Sequence, residues 1–367
     1  MKTIRKLIHG EINKAVSFVA LGFLCLFVFF DIVDQLQALN RFATSGYQFN
    51  HAVMYVILLV PGHLYELLPL SVLIGSIFVM ARFAQSSEFT ILRTGGLGPW
   101  QALASLFKLG LIFVALTFVV GDYVAPVANR HAQLLKAKFQ GRITVGQTGA
   151  WLKEKQKDLN FAVNVSAMNS DGQLAQIRIH AFTPEGRLQY ITSAPTAQLA
   201  NNEWVLFHAE QRHYNVNGQS SPRIDIQRFA QLHWPTDISA EMVGAALLSP
   251  DRMQTLDLFQ YMRHLDANGQ NSQRYEIEFW RKVFYPLSCL VMLSLALPFA
   301  YLHFRSGHIT GYVFGGVMAG ISFYLLNNVF GFMGNLNNWQ PWLTSAAPAL
   351  IYSAISLATF GWLVLRQ

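Results

Sequence analysis

The chain has 367 residues, of which 52% are hydrophobic and only 13% charged, and its mean hydropathy is +0.29. That balance excludes an ordinary soluble domain and points to an integral membrane protein. The net charge of +7 suits contact with anionic head groups and does not call for a nucleic-acid partner.

A basic start (Lys2, Arg5, Lys6, Lys14) leads into an apolar run over about 12–36. It is too long for a cleavable signal peptide and has no small-residue cleavage site behind it, so it reads as a signal anchor and first span. Asp31 and Asp34 fall at its outer end, within reach of water. The second span covers about 52–81, and at 1.5 Å per residue its length of roughly 45 Å exceeds the apolar thickness of a bilayer. Pro61 and Pro69 predict kinks in it. Glu66 lies between these prolines. A carboxylate at that depth is expensive and is expected to face a cavity or a partner; the alternative is a protonated carboxyl on a freed backbone carbonyl.

Arg82 to Gly98, reading RFAQSSEFTILRTGGLG, separates the second span from a third at about 99–126. Ser86-Ser87-Glu88 reads as a helix start, with hydroxyls to cap the first amides and an acid at the positive end. Phe89, Ile91, Leu92 and Arg93 follow, and Thr94-Gly95-Gly96 closes the turn before Pro99. A short amphipathic helix over about 84–96, held between two spans, can pass a push from a soluble partner into them. The competing reading is an ordinary loop. Asp122 ends the third span.

Residues 127–271 differ in composition. A basic helical stretch carries Arg130, Lys136, Lys138 and Arg142, a cluster able to hold phosphates at a leaflet surface or simply to stay solvated. Period-two alternation then predicts strands at Gln176–Phe182, Arg187–Ile191, Trp204–Tyr214 and Arg223–Leu232, separated by Thr183-Pro184-Glu185-Gly186, Asn201-Asn202 and Asn217-Gly218 turns. Regularly spaced short strands suggest a sandwich or jelly roll. Residues 272–367 hold three further spans, at about 279–302, 309–332 and 341–365. In the fifth, Gly311, Gly315, Gly316 and Gly320 form two small-xxx-small patterns that permit close helix packing, with a partner or within the chain. The predicted fold is therefore an α-helical membrane protein of six spans (three in 1–126, three in 272–367) with an inserted all-β, jelly-roll-like domain.

Lys and Arg gather at the N-terminus, in the 82–98 loop, around Arg305 and at Arg366, which places both termini in the cytoplasm and 127–271 outside. Cys25 and Cys289 both fall in apolar runs and read as buried thiols. There is no G-x-x-x-x-G-K-[ST] loop, no H-E-x-x-H, no Cys/His ligand spacing and no G-x-S-x-G. The histidines are scattered, and His63 reads as a packing residue. Neither an enzyme nor a bound cofactor or metal is expected.

The order of these features resembles the LptF/LptG permeases of lipopolysaccharide export. Three spans, an external β domain, three more spans, the Pro61…Pro69…Ser87-Glu88…Arg93…Gly96 series and the re-entry stretch Trp280-Arg281-Lys282-Val283-Phe284-Tyr285-Pro286 carry the likeness. Val33-Asp34-Gln35-Leu36 and Gly121-Asp122-Tyr123-Val124-Ala125-Pro126 are more similar to the G-type subunit. The resemblance implies a bacterial inner-membrane permease that extracts lipopolysaccharide and passes it toward the outer membrane. Its implied partners are an F-type permease, a cytoplasmic LptB-type ATPase dimer that holds the ATP, and a single-span LptC-type protein. It implies ATPase coupling through Glu88 with Ser87, Arg93 and Gly96. It also implies lipid contacts in the set Asp34, Arg41, Glu66, Arg130, Lys136, Lys138 and Arg142, with Lys136 where a lipid A phosphate contact is expected. The G-type lysines at the outer end of span one are absent here, where Asp31, Gln37 and Ala38 stand with only Arg41 nearby. The alternative is a permease of another lipid or lipoprotein exporter.

Overall fold

The computed structural model describes residues 2–41, 46–96, 98–140, 149–156, 158–168, 173–200, 203–215, 223–239, 242–243, 250–301 and 309–365. Two compact units are built from interleaved segments. One takes Met1–Leu36, Val56–Asn129 and Glu276–Gln367, the other Gln37–Tyr55 and Arg130–Tyr275.

The first unit is helical. Its elements are α1 (Lys2–Arg41), α2 (Phe49–Gln85), α3 (Glu88–Thr94) and α4 (Pro99–Val119), followed by a π-helical turn at Val120–Val124 and α5 (Ala125–Gln140), the ends of some reaching into the second unit. Later in the chain come α7 (Gln273–Phe284), α8 (Ser288–Ala296) with a 3₁₀ turn at Leu297–Tyr301, α9 (Ile309–Leu336) and α10 (Pro341–Leu365); α6 belongs to the second unit. Five helical stretches are long and apolar enough to cross a bilayer, and the pair Gln273–Phe284 and Ser288–Tyr301, bent by 48°, completes the expected six as one broken span. The bend falls at Tyr285-Pro286-Leu287. There the backbone switches to i→i−3 bonds, Leu287 N donating to Phe284 O (3.1 Å) and Ser288 N to Tyr285 O (3.0 Å), as expected where proline cannot donate. By contrast α2 runs unbroken past Pro61 and Pro69.

Ile12, Val72, Leu73, Ile77, Leu106 and Leu109 lie at the centre of the helical core, and Phe83, Phe89, Tyr301 and Phe360 close one end of it. α1 buries little beyond Ile8, Ile12 and Val16 and leaves Phe18, Leu21, Phe29 and Phe30 exposed. In lipid such a surface is stable, because acyl chains are as apolar as the side chains themselves. Cys25 lies on this exposed surface, against the expectation of a buried thiol, whereas Cys289 is buried. An apolar run marks the span but not which of its faces meets protein.

The second unit holds an antiparallel sheet of six strands, β1 (Ala150–Lys155), β2 (Asn160–Met168), β3 (Leu174–Phe182), β4 (Leu188–Ala200), β5 (Glu203–Asn215) and β6 (Arg223–Pro235), hydrogen-bonded in sequence order. Alternation puts Phe161, Val163, Val165, Ile177, Ile179 and Leu206 on the buried face. Trp204 is fully buried, its indole N–H donating to Ile238 O at 2.9 Å. The turn between β3 and β4 closes with Thr183 N to Arg187 O at 2.8 Å, with Gly186 at φ +81°. The β1 edge is not open. Helix α6 (Thr255–Ala267) leads into a turn whose Gln270 and Asn268 side-chain carbonyls accept from Lys153 N (3.3 Å) and Lys155 N (3.0 Å). Capping the outward amides of an edge strand in this way blocks further strand addition there.

Candidate functional site

The loop between α2 and α4 forms a seat for α3. Phe89 is 2% exposed and meets the Tyr301 ring edge-on at 5.1 Å. Leu92 packs partly against the same core, and the Arg93 guanidinium stands 5.1 Å from the Tyr301 ring centroid. Glu88 and Ile91 face outward and are exposed. The helix closes with Gly95 N to Ile91 O (2.9 Å) and Gly96 N to Arg93 O (3.0 Å), Gly96 taking φ +98°. Two expectations are corrected. Ser87 stands at the N-cap position in the left-handed region (φ 59°) and makes no side-chain cap bond, while the Ser86 hydroxyl donates back to Arg82 O at 3.0 Å. The free helix is also shorter than 84–96, because α2 itself continues to Gln85. Glu88 is thus the first helical residue, and its exposed carboxylate makes no ion pair among the described residues.

The start of α2's final turn is tied to α1. Arg82 donates to Glu11 at 2.5 Å, and Glu11 also accepts from Lys14 at 3.2 Å. His9 bonds Ser105 of α4 at 3.0 Å to its carbonyl. Near the other end of the span, His63 of α2 pairs with Asp31 of α1 at 2.7 Å and lies 5.1 Å from the Phe27 ring. His63 was expected only to pack, and Asp31 only to be wetted. Asp34 is exposed on α1.

Between α1, α2, α9 and the break before α8 lies a cavity of about 250 Å³, lined by Phe23, Phe27, Leu70, Met292, Phe323 and Tyr324. Glu66 and Tyr285 supply its polar groups, with the Tyr285 hydroxyl donating to Glu66 O at 2.5 Å. Glu66 is thus among the residues that line this cavity. A slot of this kind can take an apolar chain and place one polar group at its side.

Gly316 and Gly320 are the glycines against which α2 packs. A Cβ at Gly316 would lie 2.5 Å from Ile77 Cδ1, and one at Gly320 would lie 2.0 Å from Leu70 Cδ1. Gly311 and Gly315 meet no atom within 4 Å among the described residues. The two patterns therefore divide between packing inside the chain and an uncovered stripe. Arg130 is exposed on α5, Lys136 rests over the Tyr55 ring at 5.0 Å, and the Arg41 and Lys138 side chains and all of Arg142 lie outside the described residues.

Sequence reasoning missed the groups that only the fold brings together. Lys282 is 7% exposed and donates to Gly121 O in the π turn at 3.2 Å. Gly121 must be glycine because a Cβ there would sit 2.3 Å from the Tyr65 ring. Arg281 binds Glu278 at 3.1 Å and Asn328 of α9 at 2.7 Å. The available signal was Arg281-Lys282 within a span, since charge in such a place has partners by default.

Residues 7–362 match the family model for the lipopolysaccharide export system permease LptF/LptG. Among curated proteins, the lipopolysaccharide export system permease protein LptG of Escherichia coli strain K12 is 28% identical over 340 residues, covering 91% of this chain and 90% of the relative. The LptG protein of Haemophilus influenzae is 25% identical over 371 aligned positions, covering 100% of this chain and 99% of the relative. With nearly the whole chain matched, and with six apolar crossings around one inserted sheet, this chain belongs to the LptF/LptG family of lipopolysaccharide export system permeases.

Proposed function

We propose that this chain is the G-type permease subunit of an ATP-driven exporter that draws lipopolysaccharide out of the inner membrane and delivers it toward the outer membrane. The observation that carries this reading is the seat of α3. A seven-residue helix is anchored through Phe89 onto the end of the helical core, while Glu88 and Ile91 are presented outward between two spans. An element so short has little helical stability of its own, so its docking transmits force into α2 and α4. In this reading Glu88 is the anion gripped by a cytoplasmic LptB-type ATPase dimer. Arg93, turned onto Tyr301, positions the helix instead of meeting the partner.

Both termini are then cytoplasmic and 127–271 is a periplasmic, jelly-roll-like domain between the membrane regions 1–126 and 272–367. An F-type permease completes the cavity, and an LptC-type protein receives the lipid. The chain binds no cofactor itself, since the ATP sits on the partner. The slot between α1, α2 and α9 takes apolar chains of the lipid, with Glu66 at its side. Arg130, Lys136, Lys138 and Arg142 serve its phosphates, and Arg41 and Asp34 are further residues assigned to the lipid. Purification in gentle detergent, followed by mass spectrometry of co-purifying chains and lipids, tests the reading. Recovery of an ATPase, an F-type permease and lipopolysaccharide is the expected result, and a complex carrying a lipoprotein instead would overturn it.

A further inference from the structure

Two spans of the helical unit are interrupted, and each interruption stands beside a proline. In the π turn at Val120–Val124, Ala125 N donates to Val120 O, one residue further back than in an α-helix. That withdraws the donor Gly121 O would have in an α-helix. The π register would offer the N–H of residue 126 in its place, but that residue is Pro126 and has none. Gly121 O is therefore left without a backbone donor in either register, and the Lys282 ammonium donates to it at 3.2 Å. Lys282 belongs to the second interruption. It stands four residues before Pro286, at the 48° bend between α7 and α8, so the proline cannot donate to its own carbonyl either. The two breaks thus face each other, and the Lys282 side chain, 7% exposed, joins them.

This tie sits behind one wall of the slot. The Tyr65 ring lies against Gly121 and meets the Tyr285 ring with 5.1 Å between centroids. Tyr285, inside the bend, lines the slot and donates to Glu66 O at 2.5 Å. A helix bends most easily where backbone bonds are already missing, and a few residues at such a point can absorb a hinge motion. A charged hydrogen bond across the point holds its angle. We propose that Lys282 is a positioning residue for lipid release, pinning the bend of span four to the π turn so that Tyr285 keeps its place in the slot wall. The pin is argued from the geometry of this chain; its part in release rests on the export reading above.

The test uses the whole complex reconstituted in vesicles, with Lys282→Met, Lys282→Arg, Pro126→Ala and the double variant Lys282→Met with Pro126→Ala beside the parent. Deuterium exchange across residues 285–289 reads the bend without any substrate, and ATP-driven release of lipopolysaccharide reads export. Lys282→Met is expected to speed that exchange by about tenfold, the scale of one lost hydrogen bond to a charged group, and to slow release while the ATPase stays bound. Lys282→Arg keeps a donor and should recover most of both losses. Pro126→Ala restores the missing N–H, gives Gly121 O a backbone donor and so competes with Lys282; it should loosen the bend by itself and fail to rescue Lys282→Met. Rescue by Pro126→Ala would mean that Lys282 only satisfies a stray carbonyl, which overturns the pin. Parental exchange from Lys282→Met, or faster exchange with parental release, would overturn it as well. Should Lys282→Met fail to assemble, Pro126→Ala decides alone: faster exchange with slower release is the expected result, and parental values overturn the pin. A parent complex that hydrolyses ATP and releases no lipopolysaccharide would instead strike the export reading, with the exchange result on the bend unaffected.

Discussion

Replacing Phe89 with Ala tests whether α3 works as a docked lever. Phe89 is 2% exposed and holds its ring 5.1 Å from Tyr301. Truncating a buried Phe costs about 3–5 kcal/mol where the site cannot collapse, and the edge-on aromatic contact accounts for about 0.5–1.5 kcal/mol beyond area. What remains to hold α3 is the partly buried Leu92 and the Arg93–Tyr301 contact, the latter worth about 0.5–1 kcal/mol at an exposed site. Seven residues lie well below the roughly 12–15 at which an isolated helix becomes marginally stable in water. A loss of even 3 kcal/mol lowers the docked population relative to the undocked one by about a hundredfold. The spans, which share a much larger core of which this ring closes only one end, should stay inserted and keep their partner permease. Phe89→Leu, which keeps an apolar side chain, should cost less than about 1.5 kcal/mol and be nearly silent. The assay is amide exchange at Ile91 and Gly95, which donate to Ser87 O and Ile91 O at the two ends of the helix, read beside ATP-driven lipid release in reconstituted vesicles. Parental exchange and parental release from Phe89→Ala would refute the docked-lever argument.

The glycine stripe separates two effects. Gly320→Leu forces a side chain into Leu70 and the wall of the cavity, an overpacking of about 1–3 kcal/mol, and should reduce lipid retention; Gly311→Leu has no described atom within 4 Å of its Cβ and should leave this chain intact while lowering co-purification of the partner permease. Identical behaviour of the two variants would contradict the division. In the β domain, burial pushes His264 of α6 below its ordinary pKa, against the weaker opposing pull of Glu154 and Asp237. The unfolded state therefore binds the extra proton first, so the stability tied to a neutral His264 is present above about pH 6.5 and is lost as pH falls below it. Exchange of Lys153 and Lys155 amides, corrected for intrinsic rate, should accelerate below that pH in the parent and not in His264→Phe; no difference between the two would remove His264 from the account.

How far the fold could be read depended on how local each signal is. The spans follow from apolar runs alone, and four of the strands from alternation between clear turns. β2 carries the same alternation in Phe161, Val163 and Val165, but Ala162 and Ala167 dilute it. β1 hides because the buried position of Glu154 breaks its pattern: the carboxylate is satisfied by the Thr236 hydroxyl and by Gln156 and Asp237, 82 residues on in the case of Thr236. The break in span four was signalled by Pro286, yet the two prolines of α2 leave that helix continuous, so proline alone does not settle the matter. A short helix starting near Ser86-Ser87-Glu88 was legible from local signals, but its length and the burial of Phe89 were not, because α2 continues to Gln85 and Tyr301 arrives from far along the chain. The Lys282–Gly121 bond and the Asp31–His63 pair were not legible either, because each joins residues brought together only by tertiary packing.

The central claim is that Glu88 couples ATP hydrolysis on a partner to lipid release. If its carboxylate only favours the helix start, its loss should cost about 0.3–1 kcal/mol and pass unnoticed. If it is buried against a cation of the ATPase, reversing its charge leaves that cation unpaired, typically at about 2–5 kcal/mol. The direct measurement is ATP-dependent release of lipopolysaccharide from vesicles holding the complete complex. The parent should release lipid, Glu88→Lys should release none and retain less ATPase, and Glu88→Ala should fall between them. Near-parental release from Glu88→Lys would contradict the account.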